Sequence, residues 1–113
     1  MAEMTTIARP YARAAFEQAA AAGGLEAWSD VLQAAALVVT DDAVRPLLGN
    51  PQITQQEKVA LVVGVCEQAA GVAVPEAARS FIALLAHNDR LAALPQIQQI
   101  FDKLRADAEK TVE

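Results

Sequence analysis

The sequence predicts an all-α fold, a single-domain antiparallel bundle of six helices over residues 1–113. Three observations carry that expectation. Alanine, the strongest helix former, fills 26 of the 113 positions. Residues that favour strands are scarce, with one Trp, one Tyr and three Phe. No alternation of apolar and polar residues is long enough for a strand, whereas Gly, Pro, Asn and Asp cut the chain into six stretches with helical spacing.

The first helix is expected from about Thr6 to Ala22, with Thr5 or Thr6 as its N-cap. Gly23-Gly24 ends it, since glycine takes the left-handed conformation that helix C-termini use. Pro10 either occupies the first helical position or kinks a helix begun at Thr6. The second helix, Leu25 to Val39, aligns Leu25, Trp28, Val31, Leu32, Ala35 and Val39 in one core-facing stripe. Thr40-Asp41-Asp42 breaks the pattern and caps a short third helix, Ala43 to Leu48, which leaves through Gly49-Asn50-Pro51.

Thr54-Gln-Gln-Glu57 is a capping box and opens a fourth helix to about Ala70, with Val59, Val62, Val63, Cys66 and Ala69 inward and Gly64 on the opposite face. Pro75-Glu76 opens a fifth to about Asn88, burying Ala78, Phe81, Ile82 and Leu85. Asn88-Asp89-Arg90 makes the next reversal, with Asn and Asp side chains bonding their own backbone. The sixth helix starts near Arg90 and carries Leu94, Ile97, Ile100, Phe101, Leu104 and Ala108 on one arc.

Charge and motif content exclude several function classes. The net charge of −5 is divided as −3 over residues 1–56 and −2 over 57–113, so no basic face awaits nucleic acid. Neither a basic-then-apolar leader nor an 18-residue apolar run is present, so neither a signal peptide nor a membrane span is expected. Cys66 among Val62, Val63 and Val65 reads as core, and so does Trp28. Asp41-Asp42 reads as capping rather than as a metal pair, and His87, the single histidine, has no Cys or second His to join it. The glycines never form a nucleotide loop, so no catalytic residue, cofactor or metal is expected, and the chain should not bind ATP.

The first helix carries more small and apolar surface than one core contact requires. Ala8, Ala12, Ala15, Phe16 and Ala19 form a core face, and Ile7, Tyr11, Ala14, Gln18 and Ala21 a second strip beside it. Together they cover about 220° of the circumference at 100° per residue, against the ≳ 100° stripe of an ordinary surface helix. Arg9, Arg13 and Glu17 fill the rest. The bland explanation is that the bundle surrounds this helix. The functional one is a groove for an amphipathic helix, whose other wall is the flank of the fifth helix formed by Ala77, Ser80, Ala83 and Leu84.

Three stretches carry a resemblance. Ala8-Arg9-Pro10-Tyr11-Ala12-Arg13-Ala14-Ala15-Phe16, Leu48 to Lys58 with its Asn50-Pro51-x-Ile53 turn, and Phe81 to Phe101 with Asn88-Asp89-Arg90-Leu91 and Ala93-Leu94-Pro95-x-Ile97 resemble the delta subunits of bacterial F-type ATP synthase. Those are homologues of the mitochondrial oligomycin-sensitivity-conferring protein. The resemblance implies a non-catalytic six-helix N-terminal domain of the peripheral stalk, at the cytoplasmic face of the bacterial inner membrane, which grips the N-terminal helix of an alpha subunit between its first and fifth helices. It further implies that contacts with the b subunits belong to a C-terminal region beyond Glu113. The family's groove pattern falls on Tyr11, Ala14 and Leu84, and His87 departs from it, standing where an acidic residue is common.

Two rival readings differ in class. A general helical adaptor would hold an amphipathic helix of an unrelated partner in the same groove. A small helical enzyme would need titratable groups converging in a cavity, and the core stripes contain none.

Overall fold

The computed structural model describes residues 2–111 and contains α1 (Ala2–Ala22), α2 (Leu25–Thr40), α3 (Arg45–Leu48), α4 (Gln55–Gln68), α5 (Glu76–His87) and α6 (Leu94–Thr111). A 3₁₀ turn, Leu91–Ala93, leads into α6, and no strand occurs among the described residues.

α1 starts at Ala2, four residues before the expected boundary, and Pro10 lies inside it. Proline supplies no N–H to the helical ladder, a loss of about 3 kcal/mol in a free helix. Packing on both sides offsets it, since Ala8 and Ala12 are fully buried and Met4 lies against the core. The exit is as expected. Gly23 takes φ +72°, its N–H donates to Ala20 O (3.2 Å), and Gly24 N–H donates to Ala19 O (2.8 Å), which closes a Schellman turn.

The capping box of α4 is present in both directions. Glu57 N–H donates to Thr54 Oγ1 (3.1 Å), and Thr54 N–H donates to Glu57 Oε1 (2.8 Å). Asp41 acts as the entry to α3, its Oδ1 accepting from Ala43 N–H at 2.8 Å, so that Ala43 and Val44 belong to a turn rather than to the helix. Asp42 pairs with Arg45 at 2.6 Å.

Three further boundaries differ from expectation. α4 ends at Gln68 and leaves Ala69 exposed at its C-cap instead of continuing the inner stripe. α5 ends at His87, with Asn88 as its C-cap. α6 begins at Leu94 rather than near Arg90, because the chain first tightens into the 3₁₀ turn, where Ala93 N–H reaches Arg90 O at 3.0 Å. Pro95 then stands in the first turn of α6, where its missing N–H costs no ladder bond.

The helices enclose one core. α6 lies along both α1 and α2, while α4 packs against α5 and α2, so α2 joins the two groups. That central place explains why α2 buries more than its expected stripe, adding Ala34, Ala36 and Val38 to Trp28, Val31, Leu32, Ala35 and Val39. Edge-to-face ring pairs act between and within these groups: Trp28 with Phe81 (5.7 Å) across α2 and α5, and Phe16 with Phe101 (5.9 Å) across α1 and α6. Ser29 Oγ donates to Asp102 Oδ1 (3.1 Å), a polar link between α2 and α6. The far end of the α6 arc is less enclosed, with Ile100, Leu104 and Ala108 half-buried.

Candidate functional site

α1 presents two faces of different burial. Ala8, Ala12, Ala15 and Ala19 have no exposed surface, because four small side chains let α1 lie close along α6. The adjacent strip is not covered in the same way. Ile7 and Tyr11 are half-buried, while Ala14, Gln18 and Ala21 are exposed. A bundle that surrounds α1 is therefore not what this chain forms, and the excess of small and apolar residues is left facing outward.

α5 packs on α4 rather than along α1. Its outer residues separate into two flanks. Ala77 and Leu84, seven positions apart, share the flank that ends at Asn88, and Leu84 retains 46% exposure. Ala77 is half-buried and Ser80, on the crest, is exposed. Ala83 is drawn to the other flank, where it lines a hollow with Gln55, Gln56 and Val59 of α4 and with Arg79 and His87. Of the eight residues singled out, Ile7, Tyr11, Ala14 and Gln18 thus share one strip on α1, Ala77 and Leu84 share one on α5, and Ala83 points away from the pair.

A side-chain bond joins α1 to the C-cap of α5. Asn88 Nδ2 donates to Tyr11 Oη at 3.0 Å. The sequence predicts that the Asn88 side chain bonds its own backbone, whereas main-chain groups close the turn instead. Asn88 N–H donates to Leu84 O (3.0 Å), Asp89 N–H to Ala86 O (3.1 Å) and Arg90 N–H to Leu85 O (2.7 Å). This is again the Schellman pattern, here with Asp89 rather than glycine at the left-handed position, φ +58°. The Asn88 amide is left over for Tyr11.

A second apolar surface, absent from the sequence reading, lies on the α2–α4 side. Leu37 is 70% exposed at the edge of a hollow lined by Ala34, Val38, Val44, Val65 and Ala69. Its signal in the sequence is faint: one leucine off the stripe of a helix whose other large apolar residues are buried or half-buried.

No group of three or more His, Cys, Asp or Glu side chains that could hold a metal occurs among the described residues. Cys66 is buried in α4, where burial first and the adjacent Glu67 carboxylate second push its thiol above the ordinary range, so it stays protonated and unreactive. No described helix is long and apolar enough to cross a membrane. What the surface offers is shape and apolar area.

Comparison with known proteins gives this surface a context. A family model described as ATP synthase delta (OSCP) subunit matches residues 7–113. The chain is 43% identical over 113 residues to the ATP synthase subunit delta of Teredinibacter turnerae and equally so to that of Thioalkalivibrio sulfidiphilus, in each case covering all of this chain and 61% of the relative. The subunit delta of Marinobacter nauticus is 43% identical over 112 residues. The chain therefore spans about 61% of the length of these relatives.

Proposed function

The chain belongs to the ATP synthase delta (OSCP) subunit family, and from that premise we propose that it is a non-catalytic module of the peripheral stalk that grips the N-terminal amphipathic helix of an alpha subunit. A rotary enzyme transmits torque through a central rotor, so its catalytic head must be held still. A groove that buries a helix of that head supplies one end of the tether. In this reading the module is peripheral to the cytoplasmic face of the bacterial inner membrane. The b subunits are engaged by a part of the subunit outside these 113 residues.

The observation that carries the reading is the uncovered strip of α1, Ile7, Tyr11, Ala14 and Gln18, tied through Tyr11 to the end of the Ala77 and Leu84 flank of α5. Small residues at Ala14 and Ala77 let a third helix approach closely, and Leu84 supplies an apolar contact. Ser80 forms the outer margin on α5, and Ala83 lies beyond it toward α4. Tyr11 combines a large apolar ring with a polar tip, a side chain suited to the rim of such a groove.

Calorimetry tests this directly. A peptide of the alpha-subunit N-terminus should bind the chain one to one. A scrambled peptide of equal composition should not. Equal binding of both would replace the stalk reading with that of a general adaptor for amphipathic helices.

A further inference from the structure

α1 and α5 rest on different neighbours, α6 and α2 for the first and α4 for the second. Both walls sit on the one core, α5 partly through the Trp28 and Phe81 ring pair, but they do not pack along each other. They converge at one end, where the 3₁₀ turn Leu91–Ala93 packs against both, and there Asn88 Nδ2 meets Tyr11 Oη at 3.0 Å. We propose that Asn88 is a positioning residue: it clasps the Tyr11 hydroxyl, holds that ring in one rotamer and so shapes this end of the groove before a partner helix arrives. The proposal rests on the groove reading above.

Asn88 is itself held firmly. Three main-chain bonds close the turn around it, and the following residue, Asp89, adopts the left-handed conformation that this closure requires. The turn makes no use of the Asn88 side chain, which reaches instead to a tyrosine 77 positions earlier in the chain. Backbone geometry thus aims a rigid donor at a ring that belongs to the partner-facing strip. Fixing Tyr11 beforehand spares the complex the ordering of a long side chain, the usual gain from preorganisation.

The clasp has a direct chemical signature and a functional one. In the free 113-residue chain, Tyr11→Phe should move the side-chain amide resonances of Asn88, and unmoved resonances would overturn the clasp. Asn88→Ala and Tyr11→Phe should each weaken binding of the alpha N-terminal peptide by about three- to tenfold, the size expected for one immobilised side chain. The double variant should bind no worse than the weaker single one, since both remove the same bond. Losses that multiply would show two independent roles and overturn the proposal. The thermal midpoint should stay within a few degrees, because the bond is exposed to water. A midpoint that falls in step with affinity would make Asn88 merely structural. If the unaltered chain binds no alpha peptide, the groove reading itself fails, a result distinct from unmoved Asn88 resonances.

Discussion

Ala14 and Ala15 are neighbours in α1, yet the structure assigns them opposite consequences for the same substitution. Ala15 has no exposed surface, so Ala15→Asp places a carboxylate in the contact between α1 and α6 with no partner for it. That should cost at least about 3 kcal/mol and lower the thermal midpoint by more than about 12 °C in a domain of this size. Ala14 is exposed, so Ala14→Asp should cost the free chain only the difference in helix propensity, about 0.5–0.7 kcal/mol or roughly 2–5 °C. In the complex the same carboxylate would be buried against the partner helix, and affinity should fall more than about tenfold, about 1.4 kcal/mol. Circular dichroism gives the midpoints, with Trp28 emission as a second probe because its ring is buried against Phe81. Calorimetry gives the affinities. If Ala14→Asp unfolds the chain, Ala14 belongs to the core. If it binds the alpha peptide as well as the unaltered chain, the strip is not the docking face.

Leu84 is 46% exposed, so its complete burial by a partner adds about half of a leucine's 1.5–3 kcal/mol, and Leu84→Ala should weaken peptide binding by about fivefold in calorimetry. Leu37→Ala, on the more exposed leucine at the α2–α4 hollow, should leave that affinity unchanged; the reverse pattern would move the docking face to α2. Gly64 lies inside α4, and a Cβ built there meets nothing within 4 Å. Gly64→Ala should therefore stabilise the chain by about 0.5–1 kcal/mol in urea unfolding, and destabilisation would show that the site is more crowded than it stands here. Cys66 holds its proton more firmly folded than unfolded, its value being raised from 9.0. The stability this contributes is full below that ordinary value and declines as pH rises past it toward the raised one, while Cys66→Ala, despite its baseline loss of packing, should show a flatter decline above pH 9.

Much of this fold was legible because its signals are local. Gly23, the Thr54–Glu57 box and the period of Trp28, Val31, Leu32 and Ala35 each act within a few residues of chain. Pro10 left two readings open, because what carries a helix through a proline is burial of Ala8 and Ala12 against α6, about ninety residues away. The width of the buried face of α2 was invisible for a similar reason, since it depends on being enclosed by neighbours on several sides. At the candidate site, the wheel located the α1 strip correctly relative to the core face. It could not divide the α5 flank, because only the position of α4 decides that Ala83 turns toward Arg79 and His87 while Leu84 remains beside the Asn88 end. The Asn88 to Tyr11 bond spans 77 positions, and no local pattern announces it: asparagine after a helix is ordinary turn chemistry, and here the backbone closes the turn without its side chain.

The claim that α1 and α5 form the partner-binding face is tested most directly by an NMR titration of the isotopically labelled chain with a peptide of the alpha-subunit N-terminus. Shift changes should concentrate between Ile7 and Gln18 of α1 and between Ala77 and Asn88 of α5, leaving α2 and α6 nearly still. Changes centred on Leu37, Val65 and Ala69, or spread evenly over the chain, would contradict it.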